Sequence, residues 1–333
     1  MNLKVGLLGG GSWGTTVAAL TTKNCDTSIW ARNPDVVDDI NKNHRNEQYL
    51  PGAFLPEALK ATYTIEETVR DADVIVMGIP AQSFKQVLKD AKPYIRPWVP
   101  IVSLAKGLEN GSMMRMTEII EDVMPGHPAG VLTGPNLAKE IAFGQAAASV
   151  IAMVDDSISV ALQKVFRSGL FRVYTNQDVI GCELGGALKN IVALATGMGD
   201  GAGSGENSRA AIITRGLAEL TRLGVAMGGR PETFAGLTGM GDLVATCTSA
   251  KSRNRTVGFE LGKGRKIDEV IAEMQEVAEG VKTAKVVIRL ASKMNIEMPI
   301  AKQVYKVLYE DLTVQEAFTG VLRRSVGSEA EPG

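Results

Sequence analysis

Histidine is almost missing from this chain: 333 residues contain two, His44 and His127. Cysteine is scarce too, with Cys25, Cys182 and Cys247 widely separated and odd in number. Without a His/Cys cluster, zinc loses its usual ligands, so no metal is expected. A proton relay centred on imidazole also has little to draw on. Any acid or base must therefore be another residue type. His127 lies in Pro-Gly-His-Pro and reads as a loop residue, while His44 lies in a polar stretch and reads as surface. Unpaired thiols suit a reducing compartment, and a cytoplasmic protein is expected. Charge of one sign is lacking as well. Lys and Arg total 36 against 37 Asp and Glu, a formal net charge of −1. Such a balance gives no general attraction to nucleic acid or to an anionic membrane, so anions must be recognised locally. No apolar run reads as long enough for a membrane span.

What is present is globular. Hydrophobic residues make up 45% and charged residues 22%, and the length most naturally divides into two domains. Residues 3–14 form a short apolar run closed by Gly9, Gly11 and Gly14 in G-x-G-x-x-G spacing. Glycine-rich turns are common, and the spacing alone is weak. Here it stands between a strand and the helical segment Thr15 to Lys23, the context of a dinucleotide fingerprint. Gly9 then permits the turn, Gly11 admits a pyrophosphate, and Gly14 lets helix and strand pack closely. The helix N-terminus would face the phosphates.

The first half alternates β-type runs with helical stretches. Thr27 to Ala31, Ala72 to Pro80, Val99 to Lys106, Ala129 to Gly134, Ala148 to Val154 and Phe171 to Thr175 read as strands. Alternation of this kind implies a doubly wound, mostly parallel sheet. Near-continuous apolarity implies strands covered on both faces. Beyond about Asp178 the period becomes helical, over Val179 to Met198, Ser208 to Met227, Ile267 to Ala278, Lys282 to Met294 and Ile300 to Tyr309. The expected organisation is an α/β dinucleotide domain over 1–178, an all-α domain over 179–325 and a frayed tail over 326–333.

The second strand ends Ile29-Trp30-Ala31-Arg32-Asn33, without the acid that would hold a ribose 2′-hydroxyl. Arg32 instead favours the 2′-phosphate of NADPH. A solvated surface arginine remains the plain alternative, and Asp35 keeps NAD(H) open. At the ends of later strands stand Lys106, a cation followed by a glycine, and Gly134-Pro-Asn136, where Asn136 reads as a helix N-cap. Lys106 is equally readable as a ligand contact or a loop lysine. In Glu183-Leu-Gly-Gly-Ala-Leu-Lys-Asn190, Lys189 follows Gly185 by four residues on one helix side, where missing side chains would let a substrate approach. Lys189 is then an acid–base candidate, or simply a lysine reaching out from a glycine-mediated helix contact. Gly239-Met-Gly-Asp242 precedes another apolar run. Ser252-Arg-Asn-Arg255 opens a helix with a serine cap, and a basic helix start of this kind suits a phosphate-bearing ligand.

Taken together, these segments resemble the bacterial NAD(P)-dependent sn-glycerol-3-phosphate dehydrogenases. The matching stretches are Gly-Gly-Gly-Ser-Trp-Gly (9–14), Ala-Lys-Gly-Leu-Glu (105–109), Gly-Pro-Asn-Leu-Ala-Lys-Glu (134–140), Gly-Gly-Ala-Leu-Lys-Asn (185–190), Gly-Met-Gly-Asp-Leu (239–243), Ser-Arg-Asn-Arg (252–255) and Val-Ala-Glu-Gly (277–280). They occur in family order across nearly the whole chain. The resemblance implies a Rossmann-type domain followed by a helical domain like that of 6-phosphogluconate dehydrogenase. It also implies reversible reduction of dihydroxyacetone phosphate to sn-glycerol 3-phosphate, for phospholipid synthesis. Carried over, Ser12, Trp13, Arg32, Ala138, Val277 and Glu279 would contact the dinucleotide, alongside the glycines. Lys106 would touch cofactor and substrate. Gly134, Asn136, Asp242, Ser252, Arg253 and Asn254 would line the substrate site, with Arg253 also near the cofactor, and Lys189 would be the proton donor or acceptor. Many relatives have Ser or Thr where this chain has Asn136. The rival readings are a two-domain hydroxy-acid or ketopantoate dehydrogenase and a dinucleotide sensor without catalysis. A homodimer is the expected assembly.

Overall fold

The computed structural model describes residues 3–274 and 278–322. The chain divides into two compact units, the first formed by residues up to Lys106 with Met114–Val179, the second by Gly107–Met113 with the chain from Ile180 onward.

Unit 1 is built on an eight-stranded sheet: β1 (Lys4–Leu8), β2 (Asp26–Trp30), β3 (Lys60–Thr62), β4 (Val74–Met77), β5 (Ile101–Ser103), β6 (Ala129–Thr133), β7 (Ala147–Met153) and β8 (Phe171–Asn176). The order is β3-β2-β1-β4-β5-β6-β7-β8, parallel throughout except between β6 and β7. Strand order reverses between β1 and β4, where ligands bind in open parallel sheets. The helices are α1 (Ser12–Thr21), α2 (Pro34–Asn43), α3 (Ile65–Val69), α4 (Ala81–Ala91), α5 (Met116–Val123), α6 (Ala138–Ala142) and α7 (Asp156–Phe166). Alternate strand residues feed two cores. Leu7, Val74 and Val76 pack with Val17 and Phe166, whereas Leu8, Ile75 and Met77 pack with Phe84 and Ile120. Burial on both faces explains the unbroken apolar runs. The expected strands are present with shifted ends. The short, polar edge strand β3 carried too little pattern to be anticipated.

Unit 2 is helical: α8 (Val179–Gly201), α9 (Glu206–Ala226), α10 (Pro231–Ala235), α11 (Asp242–Thr248), α12 (Arg253–Gly262), α13 (Ile267–Ala272), α14 (Glu279–Lys293), α15 (Pro299–Tyr309) and α16 (Val314–Leu322). The helix expected over Ile267 to Ala278 ends at Ala272, and α16 was not anticipated. The tail over 326–333 lies outside the described residues. Contrary to the expectation of no membrane-length run, α8 is apolar and long enough to span a bilayer. Its most apolar window is 94% buried, as in a core helix.

Helix α12 lies against α8 through glycines four residues apart on both. A Cβ on Gly197 would sit 2.1 Å from the Arg255 carbonyl oxygen, and one on Gly258 2.1 Å from that of Leu194. Gly201 and Gly262 repeat the arrangement one turn on, against Phe259 O and Met198 O. Only bare backbone permits this spacing, and it fixes the first turn of α12 beside the middle of α8.

Candidate active site

In unit 1, β1 runs directly into the glycine turn. Gly9 has φ +124°, and a Cβ there would lie 2.3 Å from the Gly78 carbonyl oxygen just beyond β4. A Cβ on Gly14 would lie 2.0 Å from Gly9 O, so α1 closes tightly on the turn. Gly11 differs, because a side chain there would meet nothing within 4 Å. It is the N-cap of α1, and no side chain caps that helix. First-turn N–H groups beside open space form an anion cradle. The Ser12 carbonyl accepts from Thr16 Oγ1 at 2.8 Å, which stiffens this turn. Trp13 packs its ring edge against Phe171 at 6.3 Å, while its indole Nε1 is buried without a partner among the described residues. An open glycine, uncapped amides and an orphaned indole donor together fit a dinucleotide.

A brace that no sequence motif marks stands behind this turn. Buried Asn46 donates from Nδ2 to Gly10 O and to Thr15 Oγ1, both at 2.9 Å. It stands in a polar stretch with no motif to mark it. Arg32 is exposed just past β2. Asp35 belongs instead to the first turn of α2, its N–H held by the Asn33 side chain at 3.0 Å.

At the ends of β5 and β6, Lys106 Nζ donates to Gly134 O at 2.8 Å. Gly134 has φ +144°, and a Cβ there would be 3.1 Å from Ser149 Cα, so only glycine lets the loop lie on β7. The expectation that Asn136 caps a helix is corrected here, because Leu137 occupies the N-cap of α6. The loop presses Asn136 onto β7, where Nδ2 donates to Ser149 Oγ at 3.1 Å and Ser149 donates to Thr133 O at 2.9 Å. Asn136 Oδ1 is buried without a partner among the described residues. Ala138 begins α6 and accepts from Thr16 of α1 through its carbonyl at 3.4 Å.

In unit 2, Lys189 is 5% exposed and donates to Asp242 Oδ1 at 2.8 Å and to Thr246 Oγ1. An ammonium has three donors, and no further partner is recorded for it among the described residues. Thr246 also donates to Asp242 Oδ1, at 3.2 Å, one turn along α11. Nothing in the sequence drew attention to Thr246; its place four residues after Asp242 was the available signal. The Gly239-Met-Gly motif forms a wide, π-type turn over Leu237–Gly241 that delivers Asp242 to the start of α11. The expected role of Gly185 is corrected as well. A Cβ there would lie 2.7 Å from Thr238 O, so the missing side chain makes room for this turn and not for a substrate.

Ser252 caps α12 as expected, its hydroxyl accepting from Arg255 N at 3.3 Å. Arg253 is exposed on the first turn and Asn254 is 8% exposed. Arg255 is not a ligand arm. It donates from Nε and Nη2 to Asp200 Oδ2 at 3.0 and 2.6 Å, and Arg209 occupies Oδ1 of the same carboxylate. Glu279 begins α14 half-buried, whereas Val277 lies outside the described residues. Gly280 joins the pieces, since a Cβ there would meet Asn190 beside Lys189 and also Asn254. The middle of α8 and the first turns of α12 and α14 therefore converge. Chemically, unit 2 offers a buried cationic proton donor next to a polar helix start suited to an anion.

Both units match a known protein family. The N-terminal model of NAD-dependent glycerol-3-phosphate dehydrogenase matches residues 4–159, and the C-terminal model matches 178–319. A glycerol-3-phosphate dehydrogenase [NAD(P)+] of Sphingopyxis alaskensis is 63% identical over the full length of both chains. One from Mycobacterium avium is 52% identical over 98% of this chain and 96% of its own. The crystal structure of glycerol-3-phosphate dehydrogenase from Coxiella burnetii superposes with a TM-score of 0.92 at 38% identity, covering 97% of this chain and 99% of that one. A ketopantoate reductase from Ralstonia eutropha reaches a TM-score of 0.60 at 14% identity, which speaks for a shared fold alone.

Proposed function

The chain belongs to the NAD-dependent glycerol-3-phosphate dehydrogenases, and from that premise we propose how its residues divide the reaction. The enzyme reversibly reduces dihydroxyacetone phosphate to sn-glycerol 3-phosphate with NADPH or NADH, supplying glycerophospholipid synthesis. The observation that carries the assignment of roles is the buried Lys189–Asp242–Thr246 cluster in the same unit as the α12 helix start.

Residues 1–178 serve as the dinucleotide domain and 179–325 as the substrate domain. Gly9, Gly11 and Gly14 shape the pyrophosphate cradle, with Ser12 and Trp13 on its helix. Ala138, Val277 and Glu279 add further contacts to the dinucleotide. Arg32 pairs with a 2′-phosphate and tilts the preference toward NADPH. The bound dinucleotide supplies a hydride to the substrate's C2 carbon. Lys189 gives a proton to the C2 oxygen and, as a cation, stabilises the charge growing there. Asp242 and Thr246 hold the Lys189 ammonium through two of its N–H groups and direct the third at that oxygen. Arg253 and Asn254, with the Ser252-capped turn, anchor the phosphate, so that binding energy far from C2 orients the carbonyl. Lys106, tethered to Gly134, and Asn136 complete the polar lining. We infer a cytoplasmic homodimer, in keeping with three cysteines that form no disulfide and with the commonest symmetry of soluble enzymes.

Purified protein should oxidise NADPH when given dihydroxyacetone phosphate, and NADH more slowly at equal concentration. Dihydroxyacetone without its phosphate and ketopantoate should support little turnover. Equal turnover with and without the phosphate would remove the anchor; preference for ketopantoate would overturn the substrate. Arg253→Ala should chiefly raise the KM for the phosphorylated substrate.

A further inference from the structure

Helix α14 has no cap of its own. Ala278 stands at its N-cap and offers no side-chain acceptor. The N–H of Gly280 is taken instead by Asn254 Oδ1, from the first turn of α12, in a buried bond of 3.0 Å. A carboxamide has one accepting end and one donating end. With Oδ1 committed to a main-chain donor, the other end of Asn254 carries only N–H groups, and among the described residues nothing accepts from them.

Gly280 makes this approach possible. Its backbone is ordinary right-handed helix, and no conformational rule calls for glycine there. The space does: a Cβ would lie 2.7 Å from Asn254 Oδ1, 2.9 Å from Asn190 O and 3.0 Å from Asn190 Cβ. Glycine is a poor helix former, so its presence in the first turn of α14 reflects this contact. A reversed amide would turn Oδ1 toward a bound phosphate and repel it. It would also leave Gly280 N–H buried and unpaired.

We propose that Gly280 is a positioning residue: it admits the start of α14 against Asn254 and thereby locks the Asn254 amide with its donors, not its oxygen, toward the substrate phosphate. This rests on the reading that Asn254 contacts that phosphate.

Steady-state kinetics and melting curves of the full-length enzyme test it. Gly280→Ala should raise the KM for dihydroxyacetone phosphate about ten- to a hundredfold, the worth of one charge-assisted hydrogen bond. The kcat should stay within about threefold, and the KM for NADPH should stay unchanged. An unchanged KM for dihydroxyacetone phosphate overturns the proposal, as does a parallel loss in all three constants. Asn254→Ala separates the underlying reading: if it leaves that KM unchanged, Asn254 does not see the phosphate. If it raises KM while Gly280→Ala does not, only the positioning role fails. Should Gly280→Ala not fold, Asn254→Asp decides, because a carboxylate keeps the cap but loses the donors. A normal melting temperature with a KM above that of Asn254→Ala supports the lock. A lowered melting temperature with a KM no worse than that of Asn254→Ala overturns it.

Discussion

In unit 1 two helices are capped by the residue next to them: Asn33 accepts from Asp35 N–H, and Asp155 from Ser157 N–H. In unit 2 Ser252 caps α12 locally, but two helices are capped from another helix: Asn254 serves α14, and Glu219 of α9 accepts from Ile300 and Ala301 at the start of α15. Glycine has two uses here, although Gly9 and Gly14 of unit 1 also meet backbone. Gly11 in unit 1 faces open space, whereas Gly197, Gly201, Gly258 and Gly262 in unit 2 face another helix's backbone. Unit 1 thus presents open backbone at its site, braced from behind by Asn46, and unit 2 presents side chains brought together across helices. A change at the open glycine of the first should damage cofactor binding with little cost in stability. A change in the second should damage either the chemistry or the packing.

The largest effect belongs to Lys189→Ala. Loss of a general acid typically costs about 10²- to 10⁴-fold in rate, and kcat should fall by that amount while the Kd for NADPH stays within about twofold. Near-normal turnover would take the proton transfer away from unit 2 and erase the division.

A pair of glycine substitutions comes next. Gly258→Ala forces a methyl into a contact of 2.1 Å with Leu194 O, and overpacking of this kind costs about 1–3 kcal/mol. Urea unfolding should report that loss, and the KM for substrate should rise because the first turn of α12 shifts. Gly11→Ala has an extended backbone that alanine adopts freely, with φ −74° and ψ 178°, so stability should change by less than about 1 kcal/mol. NADPH binding should nevertheless weaken about tenfold or more as the methyl enters the pyrophosphate's space. Equal stability losses in the two variants would show that Gly11 is also a packing glycine.

These contrasts also explain what could be read beforehand. The fingerprint, the strand alternation and the Ser252 cap are patterns between neighbouring residues, and all three are visible along the chain. Lys189 and Asp242 stood out as motif members, yet their ion pair spans 53 residues. Gly185 misleads because a glycine gives no sign along the chain of what fills its space, here the Thr238 carbonyl. The spacing of Gly197 with Gly201, and of Gly258 with Gly262, was present but meant nothing until the two helices met. Asn46, Thr246 and Glu219 lie in unremarkable surroundings and gain a role only from partners far along the chain. Asn136 failed by one position: Leu137 takes the N-cap, and the loop lays Asn136 on β7 with its Nδ2 donating to Ser149.

Glu219 tests capping from a distance through pH. Burial pushes its carboxyl from an ordinary 4.5 up to about 7, despite the two N–H groups it accepts and the nearby Arg222 and Arg215. The folded state therefore favours the protonated acid. That stability is fully present below pH about 4.5 and is lost as pH rises through about 7, by about 3 kcal/mol in total. Urea unfolding of the native enzyme and of Glu219→Gln between pH 5 and 8 should show the native enzyme losing ground to the variant as pH rises. Parallel curves would mean that Glu219 does not titrate in the fold.

The smallest effect is expected from thiol reagents, and it compares the two units directly. Cys247 follows Thr246 on α11, is fully buried, and has its thiol pushed up to about 11 by that burial. Cys25 closes the turn after α1, is 7% exposed, and is also raised by burial and by Asp26. Only the thiolate reacts readily, so at pH 8 a maleimide should leave native activity unchanged while the urea-unfolded chain is labelled. What labelling does occur over hours reports local opening. Cys25, held by a short turn at the surface of unit 1, should label before Cys247, which opens only if α11 leaves the Lys189–Asp242 pair. The reverse order, with activity lost in step, would show that the cross-helix assembly of unit 2 is the looser of the two.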